Sequence, residues 1–167
     1  MTRWVALLRG VNVGSARRVS MPDLRARLAE RGARDVGTYV QSGNVVLSSD
    51  GPADDVGRLV GEAVADLGVD CDVVVRSGAD LADVVARNPW PDRVDEPTKL
   101  NVGFLDGRAA GEARRLGAEE EVRFDGREVW LWYGAGQGRS RLVLDVGDRV
   151  LTVRNWRTVL ALADMTS

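Results

Sequence analysis

In the first half of the chain, segments whose hydrophobic residues have the spacing of a strand alternate with segments whose hydrophobic residues have the spacing of a helix. A continuous apolar stretch within residues 3–11 predicts a strand that is central in its sheet or covered on both faces. Ser20, Pro22 and Asp23 are typical of a helix start, and the apolar spacing after them predicts a helix that ends at Gly32. The same periods predict the other elements of this half, which are strands at 35–40, 44–49 and 70–76 and a helix at 53–67.

The order of these elements is β-α-β-β-α-β, which is the split βαβ arrangement called ferredoxin-like. In such a lobe, two helices cover one face of a four-stranded antiparallel sheet. Residues 1–77 are therefore predicted to form an N-terminal ferredoxin-like lobe.

The second half of the chain repeats this order of elements after a helix and a proline-rich stretch. Three prolines from Pro89 to Pro97 predict a loop, so residues 78–97 are predicted to be a helix followed by a linker. Residues 139–147 are predicted to be helical or irregular, although their apolar positions also fit a strand. The other predicted elements are strands at 99–105, 122–124, 128–133 and 150–153 and helices at 109–117 and 155–164.

The pattern as a whole predicts an α+β chain of two tandem ferredoxin-like (βαββαβ) lobes, with antiparallel sheets and helices on one face. The C-terminal lobe, with its terminal helix, is assigned to residues 98–167. Of the 167 residues, 44% are hydrophobic and 29% are charged, a balance that is ordinary for globular lobes and argues against disorder.

Two residue counts limit the chemistry that this chain can perform. It contains no histidine, which excludes Ser-His-Asp and Cys-His catalysis and the ordinary zinc ligand sets. We expect neither a metal nor a cofactor. The single cysteine, Cys71, cannot form a disulfide within the chain, which fits a reducing compartment. No apolar run is long enough to span a bilayer and the N-terminus does not fit a signal peptide, so a cytoplasmic location without membrane contact is expected.

The predicted site lies where the first strand ends. In a ferredoxin-like lobe this point shares an edge with the turn between strands 2 and 3, which brings Arg9–Ser15 next to Gln41–Asn44. Glycine-bearing backbone, side-chain amides and a helix N-terminus meet there, which suits a small anionic or nucleotide-like ligand. The residues predicted to bind it are Arg9, Gly10, Asn12, Gly14, Tyr39, Gln41, Ser42 and Asn44, with Arg17 and Arg18 as secondary candidates.

A structural explanation of these residues stays open. Gly10 and Gly14 also suit positive φ in a tight loop, and Asn12 and Asn44 are common turn residues. The glycine spacing matches neither the dinucleotide fingerprint nor the P-loop.

The distribution of charge also has two interpretations. Residues 1–34 carry eight arginines and two acids, a net charge of +6, whereas residues 50–96 carry a net charge of −8. This asymmetry indicates an anion-binding face on the N-terminal part of the chain. The alternative is that four of the arginines only form the solvated face of a predicted helix, and these are Arg25, Arg27, Arg31 and Arg34.

Three motifs connect the chain to a known family. They are Arg9-Gly10-Val11-Asn12-Val13-Gly14, the stretch Thr38-Tyr39-Val40-Gln41-Ser42-Gly43-Asn44-Val45 and the closing Arg154-Asn155-Trp156. Over nearly the whole chain, they resemble the R-G-I-N-V-G, T-Y-I-Q-S-G-N-V and R-N-W motifs of domain-of-unknown-function family 1697. Ser15 stands where the family usually has a second glycine, which indicates a stiffer loop. The resemblance implies a tandem ferredoxin-like fold and no established activity, substrate or cofactor.

The closing motif supplies three more secondary candidates, Arg154, Asn155 and Trp156, whose side chains could contact a ligand or stack on it. The alternative is structural, with Asn155 as the cap of the last helix and Trp156 in the core. The spacing favours the structural role, because Thr158 lies at the third position of the predicted helix.

Two other classes of function are alternatives to ligand binding. A nucleic-acid-binding module would need aromatic residues on the central strands, but strand 1 offers only Trp4, and the pI is near 5.3. A structural or protein-interaction protein, including a homodimer, would use aromatic residues of the second half, which could equally fill a core between the lobes. These residues are Trp90, Trp130, Trp132 and Tyr133. No pair of acids has a spacing that points to acid–base catalysis, so no catalytic residue is named.

Overall fold

The computed structural model describes every residue from Met1 to Ser167 and separates the chain into two units. The first unit contains Met1–Ala86 together with Ala161–Ser167, and the second contains Arg87–Leu160. Compared with the predicted lobes of residues 1–77 and 98–167, the first unit also includes the helix after residue 77 and the end of the chain.

The first unit contains one four-stranded antiparallel sheet. The elements of residues 1–86 are β1 (Thr2–Leu8), α1 (Met21–Glu30), β2 (Arg34–Tyr39), β3 (Asn44–Ser49), α2 (Ala53–Asp66), β4 (Val73–Ser77) and α3 (Gly78–Ala86). The strands lie in the order β2-β3-β1-β4. Because β1 pairs with β3 on one side and β4 on the other, the central position predicted for the apolar first strand is confirmed.

The first helix begins at the position that its sequence predicts. Ser20 is the N-cap, and its hydroxyl oxygen accepts a hydrogen bond from the backbone N–H of Asp23 at 3.2 Å. Pro22 lies in the first turn, where the missing N–H would have no partner within the helix. Leu24 and Leu28 are fully buried in a core that α1 shares with α2 and one face of the sheet.

The second unit contains another four-stranded antiparallel sheet and a separate two-stranded sheet. Its elements are β5 (Leu100–Leu105), β6 (Glu112–Arg114), β7 (Glu120–Asp125), β8 (Glu128–Tyr133), β9 (Val143–Asp145), β10 (Leu151–Asn155) and the start of α4 (Trp156–Met165), with 3-10 turns at Pro91–Arg93 and Gln137–Arg139. The large sheet has the order β10-β5-β8-β7, and the small sheet pairs β6 with β9. The hairpin predicted across Asp125-Gly126 is confirmed as the β7–β8 pair.

One prediction for the second half is wrong, and a stretch for which a strand was one alternative forms a strand. The helix predicted at 109–117 is absent, and this segment contains β6, which pairs with β9 from the stretch predicted to be helical or irregular. Gly111 explains part of the difference, because a side chain there would collide with the carbonyl oxygen of Asp145 on the opposite strand. The helix predicted at 109–117 therefore does not exist, and residues 139–147 contribute the strand that their apolar positions also fit.

The two-stranded sheet provides the apolar contacts that helices were predicted to provide. Leu105, Val129 and Leu131 form the buried core on one face of the large sheet. Leu144 of β9 and the adjacent Val146 pack against this cluster. A strand pair can therefore complete this core as a helix layer would.

The last residues of the chain belong to the first unit. Arg3 donates a hydrogen bond from Nη2 to the carbonyl oxygen of Met165 at 3.3 Å. Gly78 lies so close to Thr166 that a side chain at position 78 would collide with the Thr166 backbone. Residues 161–167 are therefore packed against residues from both the first strand and the third helix.

Candidate ligand-binding site

Three segments of the first unit meet at the end of β1. The backbone N–H of Leu8 donates to the carbonyl oxygen of Gly43 at 2.9 Å, which fixes the turn after β2 beside β1. On the other side, the N–H of Arg9 donates to the carbonyl oxygen of Asp72 at 3.0 Å. We call this region the β1 edge, and it consists of the loop 9–19, the turn 40–43 and the segment 70–72.

The Asn12 side chain holds the loop of the β1 edge against the turn. Its Nδ2 donates to the carbonyl oxygens of Val19 at 2.9 Å and Gln41 at 2.5 Å, and its Oδ1 accepts from the Val19 N–H at 2.8 Å. These contacts explain how two segments about thirty residues apart are joined. They also give Asn12 a structural role beside any contact with a ligand.

Replacing Asn12 by alanine is expected to lower the free energy of unfolding by about 2–3 kcal/mol. The Val19 N–H loses its acceptor, and alanine is strained at the φ of +55° that Asn12 adopts. Asn12→Gly is the matched control, because it removes the same hydrogen bonds without that strain. Chemical denaturation should place Asn12→Gly between the wild type and Asn12→Ala, and a glycine variant as stable as the wild type would contradict the structural role.

A pocket of about 340 Å³ opens at the β1 edge, on the side of β4. We call it the arginine pocket, and its lining residues are Arg9, Gly10, Arg17, Asp70, Cys71 and Asp72. Arg17 donates from Nε to the Gly10 carbonyl oxygen at 3.0 Å and from Nη2 to the Asp70 carbonyl oxygen at 2.6 Å. Nη1 of Arg9 lies 3.4 Å from a carboxylate oxygen of Asp72, and both of these side chains are more than half exposed.

The structure brings only some of the predicted residues to this pocket. Arg9, Gly10 and Arg17 line it, whereas Asn44 is fully buried and donates from Nδ2 to the Tyr39 carbonyl oxygen and the Ser42 hydroxyl at 3.0 Å. Asn44 therefore shapes the turn. Of the remaining predicted residues, Gly14 and Arg18 lie in the exposed part of the loop and Gln41 and Ser42 lie in the turn. Tyr39 is the last residue of β2.

The sequence did not predict three of the pocket residues, because they fall within the strand predicted at 70–76. These residues are Asp70, Cys71 and Asp72. The predicted strand 70–76 begins in the structure at Val73, so residues 70–72 form a connection that lines the pocket. The signal was present in the topology. Because β4 runs antiparallel to β1, its start must lie beside the end of β1.

Backbone strain is concentrated at the β1 edge. Five residues other than glycine have positive φ in the whole chain, and three of them, Asn12, Arg17 and Val40, belong to this edge. Val40 is the most unusual, because a β-branched residue is strongly disfavoured at its φ of +51° and its side chain is also exposed. Strain of this kind persists at sites that the surrounding structure holds in place for a function.

The thiol of Cys71 is the only nucleophilic sulfur in the chain, and its environment keeps it protonated. Partial burial raises the pKa of the thiol above its ordinary value, and the nearby Asp72 and Asp70 raise it further, while the positive charge of Arg17 acts in the opposite direction. The thiolate is the reactive form. At neutral pH the pocket therefore holds a neutral, weakly reactive thiol.

Native protein is expected to react more slowly with an aromatic disulfide reagent at pH 7.5 than protein unfolded in denaturant. Since the folded pKa is raised, the thiolate fraction at this pH is smaller in the folded chain. The difference should shrink as the pH rises through the raised pKa of the folded thiol, because both forms are then ionised. Equal rates at pH 7.5 would show that burial does not control this thiol.

The secondary candidates of the closing motif lie in the second unit. Asn155 Oδ1 accepts a hydrogen bond from the Thr158 N–H at 3.0 Å, which is the geometry of a helix N-cap. Trp156 is buried, and its ring centroid lies 5.8 Å from that of Trp130. Arg154 is also buried and donates to the Thr152 hydroxyl at 2.7 Å, and its burial lowers the pKa to about 10. Capping and packing account for Asn155 and Trp156.

The aromatic residues considered as a partner surface are mostly enclosed within the chain. Trp90, Trp130 and Tyr133 are buried, and Trp132 is half-buried. The guanidinium carbon of Arg93 lies 5.1 Å from the Trp90 ring centroid and 4.9 Å from that of Trp132. This stacking holds the 3-10 turn against β8 of the large sheet.

Neither a membrane span nor a metal cluster is found in the structure. No helix combines the length and the apolar character needed to cross a bilayer. No three histidine, cysteine or acidic side chains are arranged so that they could hold a metal ion.

Fold and site together define a mixed α+β protein with antiparallel sheets and an arginine-lined pocket at the end of its first strand. The chain belongs to the family described as protein of unknown function, DUF1697, whose sequence profile matches residues 1–130. This match confirms the family that its motifs resemble.

Comparison with solved structures finds conserved bacterial protein SP0830 from Streptococcus pneumoniae, with a TM-score of 0.76 and 20% sequence identity. The alignment covers 99% of both chains. At this level of identity the likeness concerns the fold alone. No curated protein sequence matches the chain significantly.

Proposed function

We propose that the protein binds a small ligand through an anionic group, such as a carboxylate or the phosphate of a nucleotide, at the β1 edge. The observation that carries this proposal is that Arg9 and Arg17 line one pocket of about 340 Å³. A pocket of this size suits a small molecule, and guanidinium groups bind carboxylates and phosphates with strong, directional hydrogen bonds.

The two arginines would contribute differently. Arg17 is held by the carbonyl oxygens of Gly10 and Asp70, which orients its guanidinium and leaves its Nη1 without a protein acceptor. Arg9 has only an exposed ion pair with Asp72, which contributes little stability and can be exchanged for a ligand. One oriented and one exchangeable guanidinium can bind the same anionic group.

The other predicted residues would support the site and not contact the ligand directly. Asn12 joins the loop to the turn, and Asn44 shapes the turn from inside. The proposal concerns binding and assigns no reaction, because the thiol of Cys71 stays protonated and the chain has no histidine that could activate it.

The position of Cys71 allows a direct test of the proposed site. It is the only cysteine in the chain and it lines the pocket, so a ligand in the pocket should slow its reaction with a thiol reagent. Inorganic phosphate, a nucleoside monophosphate and a dicarboxylate are the first probes, at constant ionic strength. At least one of them should slow labelling and raise the melting temperature in parallel.

Matched arginine variants make this test specific. Arg9→Gln and Arg17→Gln should each weaken binding about tenfold. Arg34→Gln is the control, because Arg34 also forms an exposed ion pair, with Asp50 at 3.2 Å, away from the pocket. Protection of Cys71 by none of the probes, or equal loss of binding in Arg34→Gln, would reject the proposed site.

We also infer that both units follow one ferredoxin-like plan in tandem. The support is a shared strand order, since in each four-stranded sheet the first strand of the unit lies between the third and the last. The second unit departs from the plan where the β6–β9 pair replaces the covering helices.

A further inference from the structure

We infer that the ligand of the arginine pocket is zwitterionic, with an ammonium or similar cationic group close to its anionic group. This inference rests on the proposed function. The pocket is lined by Asp70 and Asp72 as well as by Arg9 and Arg17, so the formal charges of its lining cancel. A ligand with only negative charge would be attracted by two residues and repelled by the other two.

The Arg9–Asp72 pair shows how such a ligand can enter. The pair is long at 3.4 Å and both side chains are more than half exposed, so it contributes little to stability. When the anionic group of a ligand forms an ion pair with Arg9, the Asp72 carboxylate loses its partner. A cationic group on the same ligand replaces Arg9 beside Asp72, and every charge is again paired.

Asp70 gives an independent reason to expect a cationic group. Its carbonyl oxygen is occupied by Arg17, but its carboxylate forms no ion pair and no hydrogen bond within the protein. Asp70 lines the pocket together with Asp72. Asp70 and Asp72 flank Cys71 in the sequence. Their combined negative charge favours an ammonium group over a neutral group.

The arrangement also separates the two ends of the ligand. Arg17 is fixed by two hydrogen bonds, so the anionic group has a defined position at its free Nη1. Cys71 also lines the pocket while packing partly against the hydrophobic core, so it adds a weakly polar, uncharged surface. A short chain that joins a phosphate or carboxylate to an amine fits a pocket lined by these residues.

Three probes with the same two-carbon skeleton test the inference. Phosphoethanolamine carries both charges, ethyl phosphate carries only the anionic group, and ethylamine carries only the cationic group. Dissociation constants come from protection of Cys71 against labelling and from thermal shift, at low and constant ionic strength. We expect phosphoethanolamine to bind about five- to tenfold more tightly than ethyl phosphate, and ethylamine to bind most weakly.

Variants of the two aspartates separate binding of the cationic group from binding of the anionic group. Asp70→Asn combined with Asp72→Asn should remove the preference for phosphoethanolamine and leave binding of ethyl phosphate equal or stronger. Asp50→Asn is the control, because Asp50 forms the comparable surface pair with Arg34. The melting temperature shows whether each variant is folded. The labelling rate without ligand is measured for each variant as its own reference, because the loss of Asp70 and Asp72 charge also lowers the pKa of the Cys71 thiol.

The outcomes distinguish this inference from the function on which it rests. If ethyl phosphate binds as tightly as phosphoethanolamine and Arg9→Gln weakens both, the proposed anion-binding function is supported and the inference of a zwitterionic ligand is wrong. If none of the anionic probes of either experiment binds, both are wrong. If the double acid variant keeps the preference for phosphoethanolamine, the cationic group does not contact Asp70 or Asp72 and the inference is overturned.

Discussion

Replacing Trp130 by alanine is expected to lower the free energy of unfolding by about 3–5 kcal/mol. Trp130 lies in the middle of β8, only 1% of its surface is exposed, and its ring contacts that of Trp156 at 5.8 Å between centroids. Truncation would leave a cavity between the sheet and the start of α4. Urea denaturation monitored by circular dichroism measures the change, since the other tryptophans make fluorescence harder to assign.

Trp130→Phe is the matched control for this prediction. The indole Nε1 of Trp130 is buried and has no hydrogen-bond partner, so phenylalanine removes volume without breaking a hydrogen bond. We expect a loss of about 1–2 kcal/mol, which is well below that of the alanine variant. Equal losses in the two variants would contradict the assignment of this stability to the volume that Trp130 fills.

Replacing Gly43 by alanine is expected to cost about 2–4 kcal/mol and to abolish ligand binding at the β1 edge. Gly43 has a φ of +82°, and an added Cβ would lie 2.6 Å from the Cγ2 atom of Val11 and 2.7 Å from the Cβ atom of Leu8. Since Leu8 and Val11 are core residues on either side of Arg9, the clash would displace the start of the loop. Thermal denaturation and labelling of Cys71 report the two effects separately.

Gly14→Ala separates backbone strain from the clash. Gly14 also has positive φ, +65°, but an added Cβ would have no neighbour within 4 Å. Its replacement should therefore cost about 1 kcal/mol, from strain alone. If Gly14→Ala were as damaging as Gly43→Ala, close packing at the turn would not be the cause.

The sequence predicts the first unit well because its local signals agree with its packing. The Ser20 cap, the apolar spacing of α1 and α2 and the continuous apolar stretch of β1 each indicate one element, and the structure forms these elements. The turn at Gln41–Asn44 is also recognisable from residue types alone. Local propensity and tertiary contacts favour the same conformation there.

The second unit is less predictable because its sequence signals are weak and its contacts are distant. Residues 109–117 contain helix-forming residues, but Gly111 is placed for close contact with Asp145, more than thirty residues later. Periodicity within one segment cannot report such a contact. The strand at Val143–Asp145 was compatible with the apolar pattern, and its pairing with β6 decides the conformation of both segments.

The sequence predicted where the candidate site lies but only some of the residues that line it. Residue types and strand order point to the loop that follows β1, where Arg9, Gly10 and Arg17 line a pocket. The acidic wall at Asp70 and Asp72 depends on where β4 begins, which differs by three residues from the predicted start. A shift of this size at a strand end changes which charges face a ligand.

The membership of residues 161–167 in the first unit has a consequence for biosynthesis. During translation, the ribosome synthesises the entire second unit before it synthesises residues 161–167. The first unit therefore cannot finish folding at the stage when only residues 1–86 have been made. Arg3 and Gly78 can meet Met165 and Thr166 only after α4 has emerged from the exit tunnel. Nascent chains are therefore expected to pass through a stage in which residues 1–86 are fully synthesised but the first unit still lacks its C-terminal segment.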